Sequence, residues 1–230
     1  MSSVMELLVR RLVPSLLLLS LAGCVAASKP VAVAPVVAAP PGKGEAWRMI
    51  ANPEDKTRLA RTGEAWRGAL ADARTRGFGA EIKKEGALLD PAAAQAKPAP
   101  TPGSYSCRKV QLGSAKPKAP AFERFKPFYC YVQAEGDLLV IVKQTGSQRP
   151  AGRLWEDDKE TRLIYLGSLA LGDEEAPKAY GDDRTRDMAG VFERIGPFVW
   201  RLVIPWPRSS SKLDVFELTP VVDQPRVAGK

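Results

Sequence analysis

Phe198-Val199-Trp200-Arg201-Leu202-Val203-Ile204 is the stretch that decides the fold. Phe198, Trp200, Leu202 and Ile204 fall on one face of an extended chain and Arg201 on the other. This two-residue period marks a strand with one face in a core. Downstream, Leu213–Leu218 repeats the pattern, with Phe216 and Leu218 opposite Val215 and Glu217. Upstream, similar runs lie at Tyr105–Leu112, Phe128–Gln133, Leu138–Gln144, Gly152–Glu156, Thr161–Gly167 and Met188–Arg194. Turn residues punctuate them at Glu135-Gly136-Asp137, Asp157-Asp158-Lys159 and Gly196-Pro197. About eight antiparallel strands with short hairpins predict a closed barrel or a sandwich, and closure removes exposed edges.

The residues before this β domain (104–220) have a helical character. Asn52-Pro53-Glu54-Asp55 supplies an N-cap, a proline at the first helical position and acids near the positive end of the helix dipole. Leu59, Trp66, Ala69, Leu70 and Ala73 then recur at helical spacing, leaving Arg58, Arg61, Arg67 and Arg74 toward water, until Gly77 and Gly79. A second short helix is expected from about Ala80 to Leu89. Trp47 and Trp66 are expected to anchor the helices on the next domain. The fold class read from the sequence is therefore α+β. An N-terminal helical hairpin (45–90) packs beside a mainly antiparallel β-barrel-like domain, with a Pro/Ala linker (91–103) between them and a short tail (221–230) after.

The extreme amino terminus carries an address. Arg10 and Arg11 precede the apolar run Leu12–Leu21, which is far short of the ~20 residues of a membrane-spanning helix. Leu21-Ala22-Gly23-Cys24 at its end resembles the lipobox of bacterial lipoproteins. The resemblance implies a signal peptide (1–23) cut before Cys24 and a lipidated cysteine that anchors the chain without a transmembrane helix. Val25 follows the cysteine, and under the sorting rule of that class this favours the outer membrane, with the domain facing the periplasm. Residues 24–44, rich in Ala, Val and Pro, read as an extended tether.

Once Cys24 is committed to lipid, Cys107 and Cys130 remain in an oxidising compartment, and a disulfide between them is expected. A two-cysteine metal site would lack any histidine and any close C-x-x-C pair. The net charge of +8 is uneven, with the basic excess concentrated in residues 91–136. For an exported protein nucleic acid is not the expected partner; the basic segment reads as a solvated face, or as a surface for anionic headgroups or an anionic envelope polymer.

With no histidine in the chain, Ser-His-Asp and Cys-His nucleophile systems and His-ligated zinc are excluded. Ser209-Ser210-Ser211-Lys212 reads as a turn. The acidic runs Glu156-Asp157-Asp158 and Asp173-Glu174-Glu175 read as a hairpin tip and a solvated ion-pair loop. Gly146-Ser147-Gln148-Arg149 is the best candidate binding loop. It joins a flexible glycine and two polar side chains to a guanidinium suited to carboxylate or phosphate, with Arg108 on a strand expected to end nearby. No catalytic constellation and no cofactor motif is present, so a non-enzymatic role is expected.

Several motifs carry a further resemblance. Pro102–Arg108 with Leu112-Gly113, Phe128-x-Cys130, Gly146–Arg149 with Gly152, Glu193–Pro197 and Pro205-Trp206-Pro207 together resemble the bacterial family called domain of unknown function 4893. The resemblance covers most of residues 45–220. It implies a cell-envelope protein and carries no functional residues with it. A weaker one, to small disulfide-bearing periplasmic metalloprotease inhibitors, implies an eight-stranded barrel. Three roles are expected on these grounds. The first is an anchored binding or assembly module for another envelope protein. The second is a lipocalin-like carrier of an apolar or anionic ligand, with Trp155, Tyr165, Trp200 and Phe216 lining its cavity. The third is a periplasmic protease inhibitor.

Overall fold

The computed structural model describes residues 42–221. The signal peptide, Cys24, the tether through residue 41 and tail residues 222–230 lie outside the described residues. Nine strands follow a helical segment: β1 (Gly103–Ser114), β2 (Phe122–Arg124), β3 (Phe128–Glu135), β4 (Leu138–Lys143), β5 (Gln148–Glu156), β6 (Arg162–Leu171), β7 (Asp187–Gly196), β8 (Val199–Pro205) and β9 (Ser211–Pro220). Each of β3 to β9 pairs antiparallel with its neighbour, and β9 returns to pair with β1 from Tyr105↔Pro220 to Ser114↔Ser211. The result is a closed eight-stranded antiparallel barrel. The short β2 stands outside the ring, on the far half of β1 (Val110↔Arg124), because β3 leaves β1 after Cys107↔Phe128.

Side chains alternate inward and outward along every strand. Tyr105, Leu154, Phe192, Trp200 and Leu202 point inward and pack into one core, with Trp200 edge-on to Tyr105 at 5.8 Å between ring centroids. The Cys107–Cys130 disulfide belongs to this inner core and staples β1 to β3, with Cα atoms 5.9 Å apart.

The helical segment covers part of the outside of the barrel. It comprises α1 (Ala46–Ile50), α2 (Pro53–Ala60), α3 (Thr62–Thr75) and α4 (Gly79–Lys84), with 3-10 turns at Lys43–Glu45 and Gly86–Leu89. Asn52 caps α2 as its sequence suggests, its side chain accepting from Asp55 N at 2.8 Å. The single long helix expected from Pro53 onward is broken at Arg61, where φ −98 and ψ 14 leave the helical region. Trp66, Ala69, Leu70 and Ala73 pack on the outward Val110, Leu112, Val203 and Val215. Trp47 and Leu59 pack on Ile164, Leu166 and Val191. The helices thus share a core with the outer face of the barrel, and both Trp47 and Trp66 are buried in it. At the closest approach, α3 passes so near β1 that a Cβ on Gly113 would lie 2.7 Å from the Ala69 Cα.

The two ends of the barrel differ. The β3–β4, β5–β6 and β7–β8 hairpins lie at one end, where the chain also enters and leaves. There Arg48 pairs with Asp158 at 2.8 Å, and Val221 N donates to Ser104 O at 3.0 Å. The opposite end is formed by the β1–β3 connection and the β4–β5, β6–β7 and β8–β9 loops. This end is the mouth.

Candidate functional site

The mouth is built from inward positions near the strand ends. Lys143 ends β4 on the parity of Leu139 and Ile141, so its stem runs over the lumen. Its Nζ sits 4.4 Å from the centre of the Phe128 ring and donates to Gln148 O at 2.9 Å. Phe128 and Phe216 meet edge-to-face at 6.5 Å across the opening. On β1, Lys109 points inward, 4.2 Å from the Phe125 ring centre and 3.8 Å from Asp214 Oδ2. Asp214 also accepts from Ser211 Oγ, and Gln111 Nε2 donates to Ser209 Oγ at 3.3 Å.

Below this rim lies an apolar pit lined by Phe128, Ile141, Pro150, Tyr165, Leu202 and Phe216, with Lys143 and Cys130 at its edge. Counted out to bulk solvent, the space is about 320 Å³, but its depth admits only about 20 Å³. That is room for a single water. The floor exists because Gly152 and Gly167 face each other across β5 and β6, and a side chain at either would collide with the Tyr165 ring or hydroxyl. Tyr165 is 1% exposed, and no described residue hydrogen-bonds its hydroxyl. Burial alone pushes its acidity down, so it remains a neutral O–H donor.

Burial also lowers the Lys143 pKa, and the nearby charges of Lys109 and Arg149 lower it further; no acid offsets them. Asp214 is raised by burial, against the pull of Lys109. The mouth therefore gathers cationic side chains around an apolar hollow.

The family match begins in α1 and ends in β9, so it takes in the helical cover and the whole ring. The chain belongs to the family described as domain of unknown function (DUF4893), matched over residues 47–218. No curated protein and no solved structure matches the chain.

Within this DUF4893 domain the expected binding loop is distributed differently from its sequence reading. Gly146 and Ser147 form the β4–β5 connection at the mouth, whereas Gln148 and Arg149 are the first residues of β5. Arg149 faces outward and donates to the carbonyls of Gly146 at 2.9 Å and Gly172 at 2.6 Å, and to that of Glu174, tying two mouth loops together. Arg108 is not beside it. It lies on the helix-covered face, bonded to Glu85 Oε2 at 2.7 Å and to Glu217, and Arg124 pairs with the same Glu85. Of the four aromatics expected to line a cavity, Tyr165 and Phe216 line the pit, Trp200 fills the inner core and Trp155 packs outside under α1.

Lys143 was not among the expected site residues. Its signal was parity: a lysine two residues after Ile141, in phase with the inward side chains of β4. Among the described residues, no group of three or more His, Cys, Asp or Glu is placed to hold a metal ion. No described helix is long and apolar enough to cross a membrane.

Proposed function

We propose that this DUF4893 domain is a non-catalytic binding module of the bacterial envelope, anchored through Cys24, whose barrel mouth receives a small ligand. One observation carries the binding half of the proposal: Tyr165, a buried tyrosine whose hydroxyl has no hydrogen-bond partner among the described residues, lines an apolar pit that opens to solvent. Buried tyrosine hydroxyls ordinarily find a partner. A lone water there would have few polar groups to hold it, so a ligand that supplies a hydrogen bond displaces it at little cost. Eight strands are also the barrel size whose interior is either filled by side chains or holds one small ligand. Here side chains fill the interior except for the shallow pit beneath the mouth.

The anchoring half rests on Leu21–Cys24, and the Ala/Val/Pro tether fits a domain held off the outer membrane on the periplasmic side. The carrier form of the reading is preferred to an assembly module because the pit is an internal, apolar feature that opens at one end of the barrel.

Native mass spectrometry of the mature chain, released from the membrane in mild detergent, tests the binding. The expected result is a reproducible extra mass, lost on denaturation and extractable into organic solvent. A bare chain under conditions that preserve the disulfide would overturn it. For the anchor, a Cys24→Ser chain is expected in the soluble periplasmic fraction, and retention of that variant on the membrane would remove the lipid-anchor reading.

A further inference from the structure

The chemistry of the pit narrows the class of ligand, provided that the mouth is a binding site as proposed. Three features belong to the same pit: a tyrosine (Tyr165) that can donate an O–H, a lysine (Lys143) that carries an ammonium, and apolar walls. Lys143 is half-buried, over an aromatic face, with no acidic partner among the described residues. The one acid among them that points into the mouth, Asp214, is engaged by Lys109 and Ser211. A cation drawn out of water without an anion is unfavourable, and an incoming anion relieves that cost.

We infer that the pit is a carboxylate site, in which an amphipathic monocarboxylic acid enters head-first. Its carboxylate takes hydrogen bonds from Tyr165 Oη and Lys143 Nζ, and its apolar body leaves across Phe128 and Phe216. The number of donors decides the head group. Two donor groups suit a planar carboxylate, and a phosphate would bring more acceptor oxygens than the pit has donors to satisfy. A neutral alcohol could bond Tyr165 but would leave Lys143 uncompensated. A wholly apolar guest would leave the Tyr165 hydroxyl without a partner and the Lys143 charge without an anion.

The test uses the full mature chain, with decanoate, decyl phosphate and decanol as probes, titrated by calorimetry and counted by native mass spectrometry. One decanoate per chain is expected, with decanol and decyl phosphate each weaker by about tenfold or more, since a hydrogen bond to a charged group is worth that much. Tyr165→Phe and Lys143→Met keep the ring and the stem, so each is expected to weaken decanoate by about tenfold while moving the melting temperature of the free chain by less than about 3 °C. Equal binding of decanol and decanoate, or unchanged binding in both variants, overturns the carboxylate assignment. If the chain instead carries a neutral lipid and ignores all acids, the carboxylate inference fails and the binding reading stands. If it carries nothing and binds none of the probes, both fail.

Discussion

Arg201 Nε donates to Glu193 Oε2 at 2.7 Å between directly opposed residues of β8 and β7, and the arginine side chain is wholly buried. Its Nη1 reaches the carbonyls of Ala87, Leu88 and Asp90 at 3.1, 3.2 and 2.6 Å, and its guanidinium lies 5.0 Å from the centre of the Trp66 ring. One outward residue of the barrel therefore ties down both the end of the helical segment and its central tryptophan. Arg201→Met is expected to destabilise the chain by about 3–5 kcal/mol, because it strands a half-buried carboxylate and three carbonyls together. Lys at this position should recover little, since an ammonium cannot reproduce the planar fork. Urea unfolding followed by tryptophan fluorescence measures both, and a Met variant within about 1 kcal/mol of the parent would contradict the account.

The disulfide is expected to matter for stability independently of the site. Cys107 and Cys130 close a loop of sequence separation 23, for which the chain-entropy model gives about 3 kcal/mol. The Cys107→Ala/Cys130→Ala double variant should lose about that much, and excess reductant should bring the parent chain to the same midpoint. Alkylation without reductant should label neither cysteine.

Gly113 makes a local test of how the helices dock. Its φ of +68 is in the left-handed region, and its missing Cβ is what lets α3 approach at Ala69. Gly113→Ala meets both penalties, the left-handed conformation and an overpacked contact, for a loss of about 2–4 kcal/mol. Gly136, also at positive φ but with open space around it, should cost only about 1–2 kcal/mol on the same substitution. Equal effects at the two positions would mean that α3 is free to shift.

Most of the ring could be read from alternation, and the exceptions have physical causes. The sequence reading places Phe198 in phase with Trp200, Leu202 and Ile204, but it sits in the hairpin at φ +56 and is 72% exposed. Arg201 was legible as facing away from the core, yet nothing local reveals that the outward face is covered. That information lies in Val203 and Val215, apolar at outward positions where a solvated sheet would be polar. β2 was missed because three residues in a basic loop, Phe122–Arg124, form a strand only through the half of β1 that β3 abandons. The site was half legible. The Gly146–Arg149 motif marks the mouth correctly in space, but its arginine is used up on carbonyls, and the cation over the pit is a lysine that local composition does not distinguish. Tyr165 becomes a floor only when Gly152 and Gly167 are opposed, which depends on register between strands.

Acid should unfasten the first helix before the ring. Asp157 has a side chain only 1% exposed, and it accepts from Trp47 Nε1 at 3.1 Å and Arg162 Nε at 2.6 Å. Burial pushes its carboxyl up, but the Arg162 guanidinium, with the Trp47 indole, more than offsets this and holds it below the ordinary aspartate value of 3.8. A carboxylate with a depressed folded pKa contributes stability above its unfolded value, and that contribution is lost as pH falls through the folded one. Glu85 behaves likewise: burial raises it, and Arg108 and Arg124 together bring it below its usual 4.5. The contribution of both should be fully present at pH 7, begin to decline near the ordinary carboxylate range and be lost as pH falls through the lower folded values. Asp157→Asn is expected to cost about 1–3 kcal/mol at pH 7, with the gap to the parent chain closing toward pH 3. Trp47 reports on the same event, so its fluorescence should shift at a higher pH than the far-ultraviolet signal of the strands. A single coincident acid transition for the two probes, or an Asn variant whose deficit is the same at both pH values, would show that Asp157 does not hold α1 through its charge.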